Sequence, residues 1–313
     1  MKIVFMGTPD FSVGALEALV AAGHEVTAVV TQPDKAKGRS GKIQFPPVKE
    51  CALKYNIPVL QPVKIKAPEA IELLRTYEAD VFVVAAFGQI LSNEILTMPR
   101  LGCINIHASL LPKYRGASPI NWCIINGEKE TGVTIMQMDE GVDTGDMLAV
   151  VKVPIADDET AQSLFEKLSK AGAELIVDTL PKLERGEITP IKQNDAESSH
   201  TKMMSKSLGE IDWNKSAVEI ERLVRGLNSW PSAYTYINQK SVKLWRCEVD
   251  DETYDGAKQA GEMIEVTKDT VKVACSKGIL RICELQLEGK KRMDIKSFLL
   301  GNQWKKGMRL GVK

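Results

Sequence analysis

Apolar runs closed by turn formers divide the first half of the chain. Lys2–Met6 is an apolar run ending at Gly7, and Glu25–Thr31 is rich in β-branched residues. Asp80–Ala86 and Gly102–His107 are continuous apolar runs, the pattern of strands covered on both faces in a parallel sheet. Helical spacing separates them: Asp10–Ala22, stopped by Gly23, then Val48–Tyr55 and Glu69–Tyr77. Thr131–Met138 and Asp146–Val153 read as further strands, and Ala161–Glu184 as a long helix. This β-α-β-α rhythm predicts an α/β domain, a doubly wound and mostly parallel sheet with helices on both faces, over residues 1–189.

The texture then changes. Residues 190–206 are polar and weakly periodic and read as a linker. Residues 207–313 carry one short helix, Ser216–Leu227, and then short strands between turn signals: Ala233–Ile237, Ser241–Cys247, Glu262–Val266, Thr270–Ala274 and Ile279–Leu287. Short strands without long helices between them predict a small OB-like β-barrel.

Length and composition agree with two globular domains: 313 residues, 44% hydrophobic and 26% charged, more chain than one core usually serves. No apolar stretch approaches the roughly 18 residues of a membrane span, so a cytoplasmic protein away from membranes is expected. Six cysteines without a Cys-x-x-Cys pair, beside three histidines, point to scattered thiols and to no metal site. The net charge of zero hides an asymmetry. Residues 206–313 hold 20 Lys+Arg against 15 Asp+Glu, leaving 21 against 26 in residues 1–205. A basic C-terminal half suits a nucleic-acid partner, although a solubilising tail would look the same.

Three segments could carry chemistry. Asn105 and His107 share one face of a strand because the side-chain period is two, and they lie at the strand's carboxyl end, where open α/β sheets bind ligands. A neighbouring amide and imidazole supply an oxyanion donor and a proton carrier for acyl transfer. The acidic, glycine-bearing run Asp139–Asp146 contains Asp143, a candidate carboxylate partner for His107 that would fix its tautomer. By spacing alone that run reads first as a turn in which aspartates cap backbone groups, with metal binding by its carboxylates left open. The loop Gln32–Gln44 is basic and glycine-containing, with Lys35, Lys37, Arg39 and Lys42, and would suit phosphate contacts or simply solvent. Gly7-Thr8-Pro9-Asp10 stands where a dinucleotide turn would but lacks the glycine fingerprint, which disfavours a nicotinamide cofactor.

Taken together, Asn105-x-His107-x-Ser109-Leu110-Leu111-Pro112, Arg115-Gly116 and Asp143 resemble the folate-dependent formyltransferases. Met6–Phe11, the basic loop and Leu227–Thr235 extend the likeness over nearly the whole chain, toward the members that act on charged initiator tRNA. The resemblance implies a Rossmann-like formyltransferase domain followed by an OB-like tRNA-binding domain. It implies 10-formyltetrahydrofolate as formyl donor, no metal, and charged initiator methionyl-tRNA as acceptor, bound by a monomer. Asn105, His107 and Asp143 match the family's catalytic trio. Ser109, Leu110, Leu111 and Pro112, with Phe87, Gly88, Gln89, Ile90 and Leu91, match its folate-binding segments. Lys35, Lys37, Arg39 and Lys42 match its tRNA-approaching loop, and the C-terminal domain, where Lys290, Lys291 and Arg292 are the basic cluster, matches its tRNA-holding module. The rival expectations are formyl transfer to a small amine, glycinamide ribonucleotide or an amino sugar nucleotide, and a non-catalytic RNA-binding protein.

Overall fold

In the computed structural model, which describes residues 1–37 and 42–312, the apolar runs become the strands of a central sheet. In chain order the first unit contains β1 (Lys2–Gly7), β2 (Glu25–Val30), β3 (Lys35–Lys37), β4 (Lys42–Gln44), β5 (Val59–Leu60), β6 (Val81–Ala85), β7 (Cys103–His107), β8 (Arg115–Gly116), β9 (Glu130–Gln137), β10 (Met147–Pro154) and β11 (His200–Thr201). Its helices are α1 (Val13–Ala21), α2 (Pro47–Lys54), α3 (Pro68–Arg75) and the short α4 (Asn93–Leu96), followed later by most of the long helix Ala161–Glu184. This unit comprises Met1–Pro119, Glu130–Pro154 and Phe165–Thr201.

Seven strands pair in the order β10-β9-β7-β6-β1-β2-β5. β1, β2, β5, β6 and β7 are parallel, while β9 runs antiparallel to β7 and β10 antiparallel to β9. The chain winds outward from β1 to β2 and β5, then returns to β6 and β7 on the other side. The point of reversal lies between β1 and β6, where a doubly wound sheet opens its ligand crevice. Ile3, Val4, Phe5, Val81 and Val83 are fully buried, as central parallel strands require. Proline opens α2 and α3, where its missing N–H costs nothing. The helix expected from Asp10 begins instead with a 3-10 turn, Asp10–Ser12, before α1. Ser12 is spent on tertiary structure: its hydroxyl donates to the Ala85 carbonyl.

The second unit comprises Ile120–Lys129, Ile155–Leu164 and Lys202–Lys313. It contains α5 from Ile120 onward (Pro119–Ile125), the first residues of the long helix α6 (Ala161–Glu184), α7 (Ala217–Gly226) and α8 (Ile295–Gly301). Its strands are β12 (Ala233–Ile237), β13 (Lys240–Asp255), β14 (Met263–Val266), β15 (Val271–Ala274), β16 (Lys277–Leu287) and β17 (Met293–Asp294). They form an antiparallel sheet in the order β12-β13-β16-β15-β14, with β17 on β16. The β13–β16 ladder carries several register shifts, each a local bulge or irregularity in the pairing. The core gathers Trp213, Ile220, Leu244, Val271, Ile282 and Phe298, and the buried Trp213 indole donates to Thr235 Oγ1 at 2.9 Å. A capping box between Ser216 and Glu219 starts α7. The two inserted segments are tied in by Asn121 Nδ2, which donates to the Gly226 carbonyl at 2.7 Å, and by Arg225 Nη1, which donates to the Glu159 carbonyl at 2.9 Å.

Among the described residues no helix is long and apolar enough to cross a membrane.

Candidate active site

Asn105 and His107 lie on β7, which is hydrogen-bonded on both sides, to β6 and to β9; Asn105 stands opposite Val84 and Met136, His107 opposite Thr134. The Asn105 backbone is therefore fixed by two ladders and that of His107 by one. The loop after β9 leaves from the opposite end of β7, since Ile104 pairs with Gln137, and folds back over the strand. That return brings Asp143 to both side chains. Asn105 Nδ2 is 3.5 Å from Asp143 Oδ1, and His107 Nδ1 is 3.6 Å from Asp143 Oδ2. Asp143 Oδ2 also accepts the Gly116 N–H at 2.8 Å.

His107 is 6% exposed, and its tautomer is set by a group the sequence gave no reason to name. His107 Nε2 is 2.9 Å from the Tyr114 carbonyl. A carbonyl only accepts, so Nε2 carries a proton and Nδ1 is the nitrogen turned toward Asp143. At 3.6 Å the Asp143–His107 approach is an ion-pair distance and not a hydrogen bond. The expectation that Asp143 fixes the tautomer is thus corrected: the Tyr114 carbonyl does so, and the carboxylate faces the other nitrogen.

The strap that supplies Tyr114 is strongly held. Ser109 Oγ donates to the Lys113 carbonyl at 2.7 Å, Thr134 Oγ1 donates to the Ser109 carbonyl at 2.7 Å and accepts the Leu111 N–H at 3.2 Å, and the Tyr114 N–H donates to Ser199 Oγ at 2.8 Å. Within the expected folate segments the structure separates wall from surface. Ser109, Leu111, Phe87 and Leu91 are buried, whereas Gly88 and Ile90 are exposed and Gln89, Leu110 and Pro112 half-buried. The Phe87 carbonyl accepts Thr8 Oγ1 at 3.2 Å and Gln32 Nε2 at 3.1 Å, so Thr8 and Gln32 tie the ends of β1, β2 and β6 together. Gln89 is pinned by the Ile65 N–H and the Pro62 carbonyl. Ile90 and Val142 are 65% and 55% exposed.

A cavity of about 420 Å³ lies elsewhere, walled by Val30, Leu60, Ile65, Ala70 and Leu74. Asn105, His107 and Asp143 are not among its lining residues. Nearby, Asp34 is held below its ordinary 3.8 by the Gln61 amide and the Lys49 ammonium. All six cysteines are free and buried. Burial pushes Cys103 up to about 12 and Cys51 to about 11, so neither offers a thiolate near neutrality. Among the described residues no group of three or more His, Cys, Asp or Glu side chains is arranged to hold a metal.

The basic residues fall in two places. Lys35 is exposed on β3; the side chains of Lys37 and Lys42, and all of Arg39, lie outside the described residues. In the second unit Lys290, Lys291 and Arg292 are exposed in the turn after β16. Arg292 stacks over the Trp245 ring at 4.9 Å and donates to Glu284 at 2.7 Å.

Comparison with known proteins agrees with this layout. The family model described as formyl transferase matches residues 1–180, and that described as formyl transferase, C-terminal domain, matches residues 203–303. The chain is 56% identical to a methionyl-tRNA formyltransferase of Lachnospira eligens over 99% of its length and 100% of the relative's. It is 58% identical to one of Agathobacter rectalis over 96% of each chain. Among solved structures, the N-formyltransferase of Helicobacter canadensis in complex with folinic acid and dTDP-3-aminofucose covers 94% of the chain and all of its own, with a TM-score of 0.67 at 20% identity. HypX from Aquifex aeolicus in complex with tetrahydrofolic acid superposes with a TM-score of 0.64 at 19% identity, covering 100% of this chain and 51% of its own.

Proposed function

The chain belongs to the formyl transferase family, and on that premise we propose that it transfers the formyl group of 10-formyltetrahydrofolate to the α-amino group of methionyl initiator tRNA. The observation that supports this most is the meeting of an amide, an imidazole and a carboxylate over one strand, in a chain that full-length relatives bearing that activity match at more than half of its positions.

Each residue has a task set by its chemistry. The neutral amine of the esterified methionine attacks the formyl carbon, and negative charge grows on the formyl oxygen. Asn105 Nδ2 and the His107 ring, donating through Nδ1 as imidazolium, stabilise that oxygen. Removing one such donor in comparable acyl chemistry costs about 2.7–4 kcal/mol of barrier. Asp143 accepts the proton leaving the amine, directly or through a water, and returns it by the same route to the folate nitrogen, which departs as a neutral amine as the tetrahedral intermediate collapses. The Tyr114 carbonyl keeps Nε2 protonated throughout, which reserves Nδ1 for the reaction. The folate lies against Gly88, Gln89, Ile90, Leu110 and Pro112, with Phe87, Leu91, Ser109 and Leu111 shaping the wall behind them. Lys35, Lys37, Arg39 and Lys42 approach the acceptor end, and Lys290, Lys291 and Arg292 hold the tRNA backbone. The enzyme acts as a monomer in the cytoplasm.

The direct test supplies 10-formyltetrahydrofolate and charged methionyl-tRNA, with glycinamide ribonucleotide and an amino sugar nucleotide as competitors. Formyl label is expected in the tRNA fraction, and its formation is expected to slow steeply with rising salt as released counterions drive binding. Preferential labelling of either small amine would overturn the assignment.

A further inference from the structure

The Asp143 carboxylate has no ladder beneath it. It lies in the connection between β9 and β10, at φ 55°, a left-handed backbone that aspartate visits more readily than most residues with a Cβ. The side chain that holds this stretch of backbone is fifty residues further along the chain. Gln193 Nε2 donates to the Asp143 carbonyl at 2.9 Å and to the Gly145 carbonyl at 2.7 Å, while its Oε1 accepts Arg115 Nε at 2.9 Å. Arg115 is 3% exposed, and its Nη2 reaches Asp195 Oδ1 at 2.7 Å. The next residue, Gly116, gives its N–H to the Asp143 carboxylate. Both Arg115 and Gly116 are fixed by the pairing of β8 with β11, close after Gln193.

The Gln193 amide is thus fully committed. Its orientation is fixed as well, because turning it over would set Oε1 against two carbonyl oxygens and Nε2 against a guanidinium N–H. We propose that Gln193 is a positioning residue for formyl transfer: it bridges the Asp143 loop to the buried Arg115 and so places the carboxylate before Asn105 and His107. It touches no reactant and acts through Asp143, so the proposal rests on the role given to Asp143 above. Only a planar group with two donors and one acceptor makes this bridge. Glutamate keeps the Arg115 contact but turns an oxygen on the loop carbonyls, and methionine keeps the volume and loses all three bonds.

The test compares Q193M, Q193E, D143N and the Q193M/D143N double variant as full-length enzymes, with kcat expressed per folate-binding site so that misfolded protein does not count. Both Gln193 variants are expected to lose about tenfold or more in kcat with KM for both substrates within about threefold. In the D143N background Q193M is expected to cost less than about twofold, since no carboxylate remains to be placed. The proposal is overturned by a Q193M kcat within about twofold of wild type, by a loss confined to KM, or by an undiminished loss in the D143N background. A D143N enzyme with wild-type kcat overturns the role of Asp143 itself, and the positioning proposal with it.

Discussion

Two regions meet at the candidate centre, and they are built in opposite ways. Asn105 and His107 stand on a strand paired on both sides, Asn105 with both neighbours and His107 with β9. Asp143 stands on a connection between strands, where the Gln193 side chain and the Gly116 N–H reach it from outside the loop and Asp139 braces it from within. The difference separates precision from adjustability. On the proposed mechanism the donors that meet the developing charge stand on the paired strand before substrate arrives, which is what electrostatic preorganisation requires. On the same proposal the carboxylate that accepts the proton sits on a loop, where its position depends on the contacts made by Gln193 and Gly116.

Substitutions on the two sides should therefore fail differently. The largest effect is expected on the strand side. His107→Ala should lower kcat by about a thousandfold and Asn105→Ala by about a hundredfold or more, both with folate affinity nearly unchanged by equilibrium titration. Near-normal turnover in either would end the strand-side assignment. On the loop side, Gly116→Ala should cost about tenfold in kcat together with some thermal stability. Gly116 lies at φ 94°, and an added Cβ would stand 2.8 Å from the Thr201 carbonyl. The strain would displace the N–H that Asp143 accepts, so an unchanged kcat would mean the carboxylate does not depend on it.

A smaller, purely structural loss is expected at Thr134→Val, behind the strap. It leaves the Ser109 carbonyl without its buried donor and the Leu111 N–H without its acceptor, worth about 1–3 kcal/mol in urea unfolding. The smallest effect lies far from the chemistry, at the amino edge of the sheet. Asp80 is held below its ordinary 3.8 by the Lys2 backbone N–H and then by Arg100. A depressed carboxylate stabilises the fold above its unfolded pKa and stops doing so as pH falls through the folded one. Asp80→Asn should thus lower Tm by about 2–4 °C at neutral pH, and the gap should close below pH 3.8. A gap that persisted in acid would assign the loss to packing instead of charge.

The same contrast explains what the sequence disclosed. β1, β6 and β7 were legible because strands buried on both faces are written as unbroken apolar runs, and Asn105 and His107 could be put on one face by counting in twos. The strands of the second unit announced themselves through their turns, yet β13 runs on to Asp255 through Asp250-Asp251-Glu252, an acidic stretch that reads as a turn. It remains a strand because β16 pairs with it at Asp251 and Asp255. The Tyr114 carbonyl and the Gly116 N–H carry no side-chain signature, and backbone groups cannot be ranked from composition. Gln193 sat in a segment whose polarity suggested a linker. In the structure Met147 and Ile191 exchange backbone hydrogen bonds, and His200–Thr201 pairs with Arg115–Gly116. Polar sequence that makes its contacts through backbone and amide looks the same as polar sequence that makes none.

The path of the backbone has a consequence for anyone who wishes to take the molecule apart. It passes into the second unit after Pro119, returns after Lys129, passes again after Pro154, returns after Leu164 and crosses finally after Thr201. A single protease nick therefore releases neither unit. A stop codon just past residue 205 would strand Asn121 and the Glu159 carbonyl without the Gly226 and Arg225 they bond. Chimeras that exchange one half between relatives must carry the two inserted segments along with the C-terminal third, or they will graft a core with pieces missing.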